Sequence, residues 1–406
     1  MKNSGTRNTG THHLIPRLRA ILKSVRRSGN DVSGRMRCRP GLAIVFALAI
    51  PIGIDRGAIL SAQSPPHWKG TISHEGEVTV VRNPKEPMFK GEVLSFVEEL
   101  VIPTTGPKDQ YLISEIRNIT LDDRGAIYVL DGKSSDIKVF DASGKFLQTI
   151  SRKGQGPGEL DGPSQLSINR SNGELCVQQA SRLSFFSPEG AFLRQVSFGT
   201  IMALMGKIDS AGNIVFLEGI LSPPNSWYAL KKFDLKLDLL VELQRFPANR
   251  RTAYDAFFPM GRWTIDDQDN IIYGYPKTYE VLVFNPQNKL VRKIQKEYSP
   301  IKITDQEAAD AKKGLAQGYI PAFSKFRPAF RNIVADDQGR IYVQTYHKNA
   351  AGHYAFFDLF DKEGRYLATL TLKERAFIRK GKMYSVEEDE DGNQTIKRYA
   401  VTWKLK

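Results

Sequence analysis

A glycine-rich loop is the first stretch with residues suited to binding a ligand. Residues 152–160 read RKGQGPGEL, with Gly154, Gly156 and Gly158 at alternate positions after a lysine. A phosphate-binding loop needs backbone N–H groups that converge on the anion, usually at the start of a helix. Pro157 removes one such donor, and neither a Gly-Lys-Ser/Thr sequence nor a long apolar helix follows. We therefore predict a tight connector between two sheet segments.

Aspartate pairs and two histidines are the candidate metal ligands. Asp-Asp pairs occur at 122/123, 266/267 and 336/337, but a calcium loop needs more oxygen ligands than such a pair supplies. We interpret the pairs as turn residues, because their carboxylates can accept backbone N–H groups. His347 and His353, in YHKNAAGHYAF, lack an evident third ligand, so we interpret them as surface residues. The sequence therefore predicts no metal ion and no cofactor.

Residues suited to nucleophilic catalysis are not evident. No Gly-x-Ser-x-Gly elbow occurs, and Cys176 lies within a predicted strand without a partner histidine. The question of catalysis stays open at this stage, and a non-enzymatic protein is favoured.

The net charge of +14 is concentrated at the N-terminus. Residues 1–62 contain eleven Lys or Arg and two acidic residues, whereas residues 63–406 contain 47 basic and 42 acidic residues. A net charge of +5 over the longer part is typical of an ordinary solvated surface. A nucleic-acid-binding protein usually has a clustered basic stripe, so the sequence predicts no nucleic-acid partner.

A basic and apolar N-terminal segment predicts export. Arginines at 35, 37 and 39 precede the apolar run GLAIVFALAIPIGI at 41–54. The run is too short to span a bilayer comfortably, and small residues follow it, so we predict a signal peptide within a leader at residues 1–62. Met36 is the alternative start. An uncleaved membrane anchor through residues 41–54 is the second interpretation.

The positions of the two cysteines predict an exported chain without an internal disulfide. Cys38 lies in the predicted leader, so Cys176 is the single cysteine of the exported chain, which then has no internal disulfide. Secretion without disulfides points to a bacterium and to a secreted or periplasmic protein. Membrane contact is expected only if the leader is retained.

The rest of the chain repeats one pattern. NITLDDRGAIYVLD, from Asn118, is followed by DIKVFDASGKFLQTI, and similar pairs start at Arg262 and Asn332. Weaker copies start at Gln165 and Met205, and a degraded sixth copy lies near the C-terminus. Each copy reads as four strands joined by turns, with alternating apolar residues and Asp or Gly at the turns.

Four antiparallel strands that recur along a chain predict the blade of a β-propeller. The predicted fold is therefore all-β, a six-bladed propeller at residues 63–406. Thr304 and Glu307 form a capping box that predicts one short helical insertion at about 305–316. For closure of the ring, a strand from 77–83 or 92–102 is expected to pair with C-terminal strands at 382–388 and 394–403, because an open ring leaves free sheet edges.

The repeat IYVLD…IKVFDASGKFLQTI, with the RKGQGPGEL connector, closely resembles NHL-type repeats, and the whole exported chain resembles bacterial secreted six-bladed β-propeller proteins. That resemblance is specific for fold and weak for function. Six-bladed relatives that act as lyases or lactonases hold a metal in the channel with His, or with Glu and Asn, and those motifs are not found here.

Propeller ligands usually bind where loops lead into the inner strands, at one end of the central channel. Three arginines at these positions could converge on a carboxylate or phosphate group. The alternative is that they pair with nearby acidic residues or face water. The candidate ligand-binding residues are Arg117, Asn118, Gln165, Arg262, Arg331 and Asn332.

These features favour a non-enzymatic binding scaffold outside the cytoplasm, whose ligand is a peptide, a protein or a carbohydrate at the channel mouth. The alternative function is a metal-dependent hydrolase or lyase of the lactonase sort.

Overall fold

The computed structural model describes residues 67–105, 111–222, 225–248, 253–313, 320–353 and 355–405. Residues Gln63–Lys406 form one compact unit. The predicted leader at 1–62, the start at Met36 and the anchor at 41–54 lie outside the described residues. In the described parts of the chain, no helix is long and apolar enough to cross a membrane.

Three strands precede the repeated part of the chain. They are β1 (Thr71–Glu75), β2 (Val78–Asn83) and β3 (Leu94–Pro103).

The chain forms six antiparallel blades of four strands, which agree with the repeats in the sequence, and β1 and β2 extend the sheet of blade 4 to six strands. Blade 1 contains β4 (Ile116–Leu121), β5 (Ile127–Asp131), β6 (Asp136–Phe140) and β7 (Phe146–Ile150). Blade 2 contains β8 (Gln165–Ile168), β9 (Leu175–Gln178), β10 (Arg182–Phe186) and β11 (Phe192–Ser197). Blade 3 contains β12 (Met202–Ile208), β13 (Ile214–Ser222), β14 (Asn225–Phe233) and β15 (Leu239–Pro247).

The remaining blades have the same order of strands, with one insertion. A short strand, β16 (Ala253–Tyr254), precedes blade 4, which contains β17 (Arg262–Ile265), β18 (Ile271–Gly274), β19 (Glu280–Phe284) and β20 (Leu290–Lys296). Helix α1 (Asp305–Lys313) and β21 (Ile320–Pro321), which pairs in parallel with β16, come next. Blade 5 contains β22 (Asn332–Ala335), β23 (Ile341–Gln344), β24 (Phe356–Phe360) and β25 (Tyr366–Thr371). Blade 6 contains β26 (Arg375–Arg379), β27 (Lys382–Glu388) and β28 (Gln394–Trp403).

The N-terminal strand β3 supplies the fourth strand of blade 6. It pairs antiparallel with β28, from Leu94 opposite Trp403 to Pro103 opposite Thr395. Of the two expected closing segments, 92–102 is therefore confirmed. The segment 77–83 was wrong as a closing strand, because β2 instead pairs in parallel with β20 at the outer edge of blade 4.

The middle strands of each blade are apolar because both of their faces are covered. All five residues of β5 are buried, whereas the outer strand β7 alternates between exposed and covered residues. An apolar cluster fills each of the six interfaces between neighbouring blades, including the interface between blades 6 and 1. The ring is thus closed by packing as well as by hydrogen bonds.

The inner strands β4, β8, β12, β17, β22 and β26 surround the central channel. Strand β8 contacts both β4 and β12, and β22 contacts both β17 and β26. We call the side where these strands begin the front face, and the side where they end the back face. Loops before the inner strands lie on the front face, and the Asp-Asp turns lie on the back face.

Helix α1 lies in the connection between blades 4 and 5, as predicted. The backbone N–H of Glu307 donates to Thr304 Oγ1 (3.2 Å) and that of Thr304 donates to Glu307 Oε2 (3.1 Å), which is the predicted capping box. The described helix ends at Lys313, and the rest of the predicted range, 314–316, lies outside the described residues. Glu307 also pairs with Arg327, which anchors the helix to the front face.

Candidate functional site

The Asp-Asp turns close the back face. The first aspartate of each pair accepts backbone N–H groups of its own turn; for example, Asp122 Oδ1 accepts from Arg124 (2.9 Å) and Ala126 (2.8 Å). The turn interpretation is thus confirmed for the first aspartates. The second aspartates do something else, because Arg379, on the inner strand of blade 6, pairs with Asp267 (2.7 Å) and with Asp123 (3.2 Å).

This network joins five blades, all except blade 3. Arg170, after β8, approaches Asp267 at 3.6 Å, and the backbone N–H of Lys380 donates to Asp337 Oδ2 at 3.1 Å. The side chains of Arg379 and Asp267 are 9% and 25% exposed, so water screens this pair less than the pair with Asp123, which is 63% exposed. These ion pairs form a charged floor across the back end of the channel.

Above this floor, the channel contains a cavity of about 240 Å³. It extends from Asn118 and Gln165 at the front to Asp267 and Arg379 at the back. Its wall is composed mainly of inner-strand residues, both apolar and hydroxyl-bearing, and it includes one lysine, Lys207.

A β-bulge directs Lys207 into the channel. The pairing of β12 with β13 shifts between Leu204 and Lys207, and Met205 has a positive φ of 55°. The neighbouring blade holds this bulge, because Gln178 accepts from the backbone N–H of Gly206 and donates to the carbonyl oxygen of Ala203 (2.7 Å).

Lys207 has hydrogen-bonding and aromatic neighbours but no carboxylate. Its Nζ donates to Thr264 Oγ1 (2.9 Å) and lies 5.5 Å from the centre of the Trp263 ring. Among the residues that the structure describes, no acidic side chain is within ion-pair distance of this amine. Burial lowers the pKa of Lys207 to about 8. A lysine with this environment is a candidate functional group.

The pKa of Lys207 predicts a pH-dependent stability difference. Between about pH 8 and pH 10.5 the unfolded chain holds this proton and the folded chain does not, so the contribution of Lys207 to stability rises with pH. Lys207→Met removes the buried ammonium, and we expect it to be more stable than the wild type at pH 7. Urea unfolding at pH 7 and pH 9.5 tests this: the advantage of the variant should shrink at the higher pH. An equal difference at both values contradicts the assignment.

The front face contains three arginines around one tyrosine. The guanidinium carbons of Arg327 and Arg331 lie 5.2 and 5.8 Å from the centre of the Tyr346 ring. Burial lowers the pKa of Arg262, nearby Arg331 lowers it further, and Tyr346 opposes these effects. We call Arg262, Arg327, Arg331 and Tyr346 the arginine cluster. Arg331 pairs with Glu374 (3.1 Å) and Arg327 with Glu307, whereas Arg262 has no carboxylate within ion-pair distance in the described parts of the chain.

The six predicted ligand-binding residues are therefore divided between different places. Arg262 and Arg331 come together in the arginine cluster, while Arg117 pairs with Glu115 (3.1 Å) in blade 1. Asn118 and Gln165 line the channel cavity, and the side chain of Asn118 accepts from the backbone N–H of Leu166 (3.1 Å). Asn332 is exposed at the start of β22.

A second cavity, of about 570 Å³, opens on the front face between blades 4 and 5. At its base, Asp358 accepts hydrogen bonds from Tyr279 (2.5 Å) and Tyr366 (2.7 Å) and pairs with Lys296 (3.2 Å). Lys296 also lies over both tyrosine rings. Blade 4 supplies Lys296 and Tyr279, and blade 5 supplies Asp358 and Tyr366, so this buried polar cluster joins the two blades.

The remaining sequence candidates have structural roles. In the glycine-rich loop, Gly154 donates to the carbonyl oxygen of Leu160 (2.9 Å) and Gly156 donates to the Glu159 carboxylate (3.0 Å). A carboxylate thus occupies the loop, which links the outer strand of blade 1 to the inner strand of blade 2, as predicted.

The histidines and the cysteine are also accounted for. His347 and His353 are both exposed, as interpreted from the sequence. Cys176 is free and buried, and burial raises the pKa of its thiol to about 12. In the described ranges, no group of three or more His, Cys, Asp or Glu side chains is arranged to hold a metal ion.

Comparison with known proteins agrees with this architecture. Residues 69–391 match the DUF5128 family, which is described as a 6-bladed beta-propeller. The chain belongs to this family. No protein with a curated description matches it.

Solved structures similar to this DUF5128 protein have low sequence identity to it. One is a Bacteroides fragilis protein whose name describes it as exported. It has a TM-score of 0.52 and 12% identity, and the match covers 80% of this chain and 99% of the other. A member of the duf4221 family from Bacteroides vulgatus has a TM-score of 0.49 and 12% identity, over 77% and 100%. A gluconolactonase from Xanthomonas campestris has a TM-score of 0.42 and 8% identity, over 71% and 87%.

Sequence reasoning missed two residues that belong to the candidate sites of this DUF5128 protein. Lys207 lies in a weak repeat, where the bulge hides its alignment with other inner strands. Arg327 lies in the insertion between blades, for which no repeat gives a position. The Met-Gly pair before Lys207 was a usable signal, because glycine in a strand often marks a bulge.

Proposed function

We propose that this protein is a non-enzymatic binding protein that acts outside the cytoplasm and holds carboxylate groups of a peptide, a protein or a carbohydrate at its arginine cluster. The observation that carries this proposal is the position of Arg327 and Arg331 beside the Tyr346 ring, with Arg262 near enough to interact electrostatically with Arg331 and Tyr346. Guanidinium groups bind carboxylates through paired hydrogen bonds, and they do so best where water is partly excluded.

The charge balance of the cluster supports this proposal. Among the described residues, Glu307 pairs with Arg327 and Glu374 pairs with Arg331. No carboxylate of these residues lies within ion-pair distance of Arg262. Burial of a cation without a partner is unfavourable. A ligand carboxylate beside Arg262 would offset this cost.

Action outside the cytoplasm rests on the N-terminal sequence. The basic and apolar leader predicts export, and the similar Bacteroides fragilis protein is named as exported. The NHL-type character of the repeats and a bacterial source stay predictions.

Replacement of Arg262 by glutamine tests the proposed site. We expect Arg262→Gln to weaken the binding of a fluorescent penta-glutamate peptide by about tenfold or more, because a charge-assisted hydrogen bond is lost. Its melting temperature should not fall, because the variant removes a partly desolvated charge. The measurement is fluorescence anisotropy at low and at physiological salt.

Arg117→Gln is the matched control. It removes a front-face arginine that pairs with Glu115 in blade 1, and it should leave peptide binding unchanged. Equal binding by the wild type and Arg262→Gln would reject the site. Preference for polygalacturonate over the peptide would retain the site and identify an acidic carbohydrate as the ligand.

A further inference from the structure

We propose that the central channel contains a separate site in which Lys207 and Thr264 bind one small carboxylate. The site is distinct from the arginine cluster and does not depend on it. Thr264 lies two residues after Arg262 on the same face of β17, which places it about 7 Å further into the channel.

The geometry of the channel supports this proposal. Lys207 borders an existing cavity of about 240 Å³, which is large enough for a ligand of several carbon atoms. The ammonium group has Thr264 Oγ1 as a hydrogen-bond acceptor at 2.9 Å, and its remaining N–H groups are available to a ligand. The bulge at Met205, held by Gln178, fixes the direction of the side chain. The lysine is thus positioned by two blades.

The charge of the site favours a monoanion. In the part of the chain that the structure describes, Lys207 has no carboxylate partner, so one negative charge would neutralise it. A phosphate dianion would retain one uncompensated charge in an enclosed site, which is costly. Apolar residues of the wall, such as Ile119 and Phe377, suit the carbon chain of an organic acid.

The charged floor leaves one direction of access. The ion pairs of Arg379 with Asp267 and Asp123 cross the back end of the channel. The cavity reaches Asn118 and Gln165 at the front. A ligand therefore approaches from the front face, and its carboxylate leads toward Lys207.

Binding at this site should depend on the protonation of Lys207. Asp266 and Asp269, which also line the cavity, accept backbone N–H groups from Asn270 and Ser210. Other charged groups on the elements packed around Lys207 are held in ion pairs. These pairs are Asp209 with Lys232, Glu218 with Lys231, Glu174 with Arg194, and Asp267 with Arg379 and Arg170. Arg262 stays charged throughout this range. Cys176, behind β8, titrates at about pH 12.

Butyrate titration is the test, with butyramide as a neutral ligand of the same shape. Isothermal titration calorimetry should show saturable binding of butyrate at pH 7, and butyramide should bind at least about tenfold more weakly because it lacks the charge. Butyrate affinity should fall by about tenfold or more between pH 7 and pH 9.5, as Lys207 loses its proton.

Two substitutions of Lys207 test whether its positive charge is what binds butyrate. Lys207→Met should abolish butyrate binding. Lys207→Arg should restore binding and remove its pH dependence, because a guanidinium group stays charged at pH 9.5. Arg117→Gln is the control and should bind butyrate like the wild type.

Three results would each overturn the proposal: no saturable butyrate binding at pH 7, equal binding of butyrate and butyramide, or unchanged binding by Lys207→Met. Direct observation of the lysine completes the test. In protein with ¹³C-labelled lysine Cε atoms, saturating butyrate should raise the pKa of the Lys207 resonance, and an unchanged value also overturns the proposal. The arginine cluster is tested with the penta-glutamate peptide and the Lys207 site with butyrate. A negative result for one ligand therefore does not affect the test of the other site.

Discussion

Replacing Asp358 by asparagine is expected to lower the free energy of unfolding by about 3–5 kcal/mol. The side chains of Asp358 and Lys296 are 4% and 8% exposed and lie 3.2 Å apart. Asparagine keeps the shape but leaves a buried ammonium without its counter-charge. It also replaces an oxygen that accepts from Tyr279 and Lys296 by an N–H donor. Guanidinium chloride unfolding, followed by tryptophan fluorescence, measures the loss.

Asp361→Asn is the matched control in the same blade. Asp361 pairs with Arg365, whose side chain is 44% exposed, and its turn hydrogen bonds survive in asparagine. We expect this variant to lose less than about 1 kcal/mol. The double variant Lys296→Met/Asp358→Asn should recover part of the stability, because it no longer contains an unpaired ammonium. A loss below about 1 kcal/mol for Asp358→Asn alone would show that the cluster does not join the blades.

Deleting residues 390–406 should abolish cooperative unfolding of the whole propeller. The deletion removes β28, which lies between β27 and β3 in blade 6. Without it, β3 has no partner in the sheet, and the apolar clusters on both sides of blade 6 are exposed to water. Circular dichroism and calorimetry should show no native-like transition.

A chain that starts at residue 77 is the control for this deletion. It lacks β1, an exposed edge strand that pairs only with β2, and its ring should stay closed. We expect its melting temperature to fall by only a few degrees. A C-terminally deleted protein that keeps the full-length melting temperature would refute closure by β28 and β3.

Much of the fold was predictable because each blade repeats a local pattern. Asp122 and its turn, the alternating residues of β4 and the apolar strand β5 all follow from neighbouring residues. The pairing of β2 with β20 was not predictable, because strands more than 200 residues apart meet there. Two N-terminal segments had suitable apolar residues, and the sequence alone could not distinguish the strand that closes the ring from the one that extends a blade.

The candidate site was predictable only in part. Alignment of the repeats placed Arg262 one position after the position that Arg117 and Arg331 share. Arg262 and Arg331 do meet. In blade 1, Arg117 has an acidic neighbour, Glu115, two residues before it. The position of the Lys207 side chain depends on a bulge, and that of Tyr346 depends on the path of a loop, so the repeat predicts neither position.

The N-terminal segment has a consequence for folding kinetics. It adds β2 to blade 4, donates backbone hydrogen bonds from Met88 and Phe89 to blade 5, and completes blade 6 with β3. The N-terminal segment therefore cannot form its native contacts until blades 4 to 6 have been synthesised. Contacts between residues so far apart in the sequence give a high contact order, which slows folding. The same N-terminal segment should slow unfolding, because blades 4 to 6 cannot separate until it detaches. Resistance to proteases would then be set by the rate at which this N-terminal segment detaches.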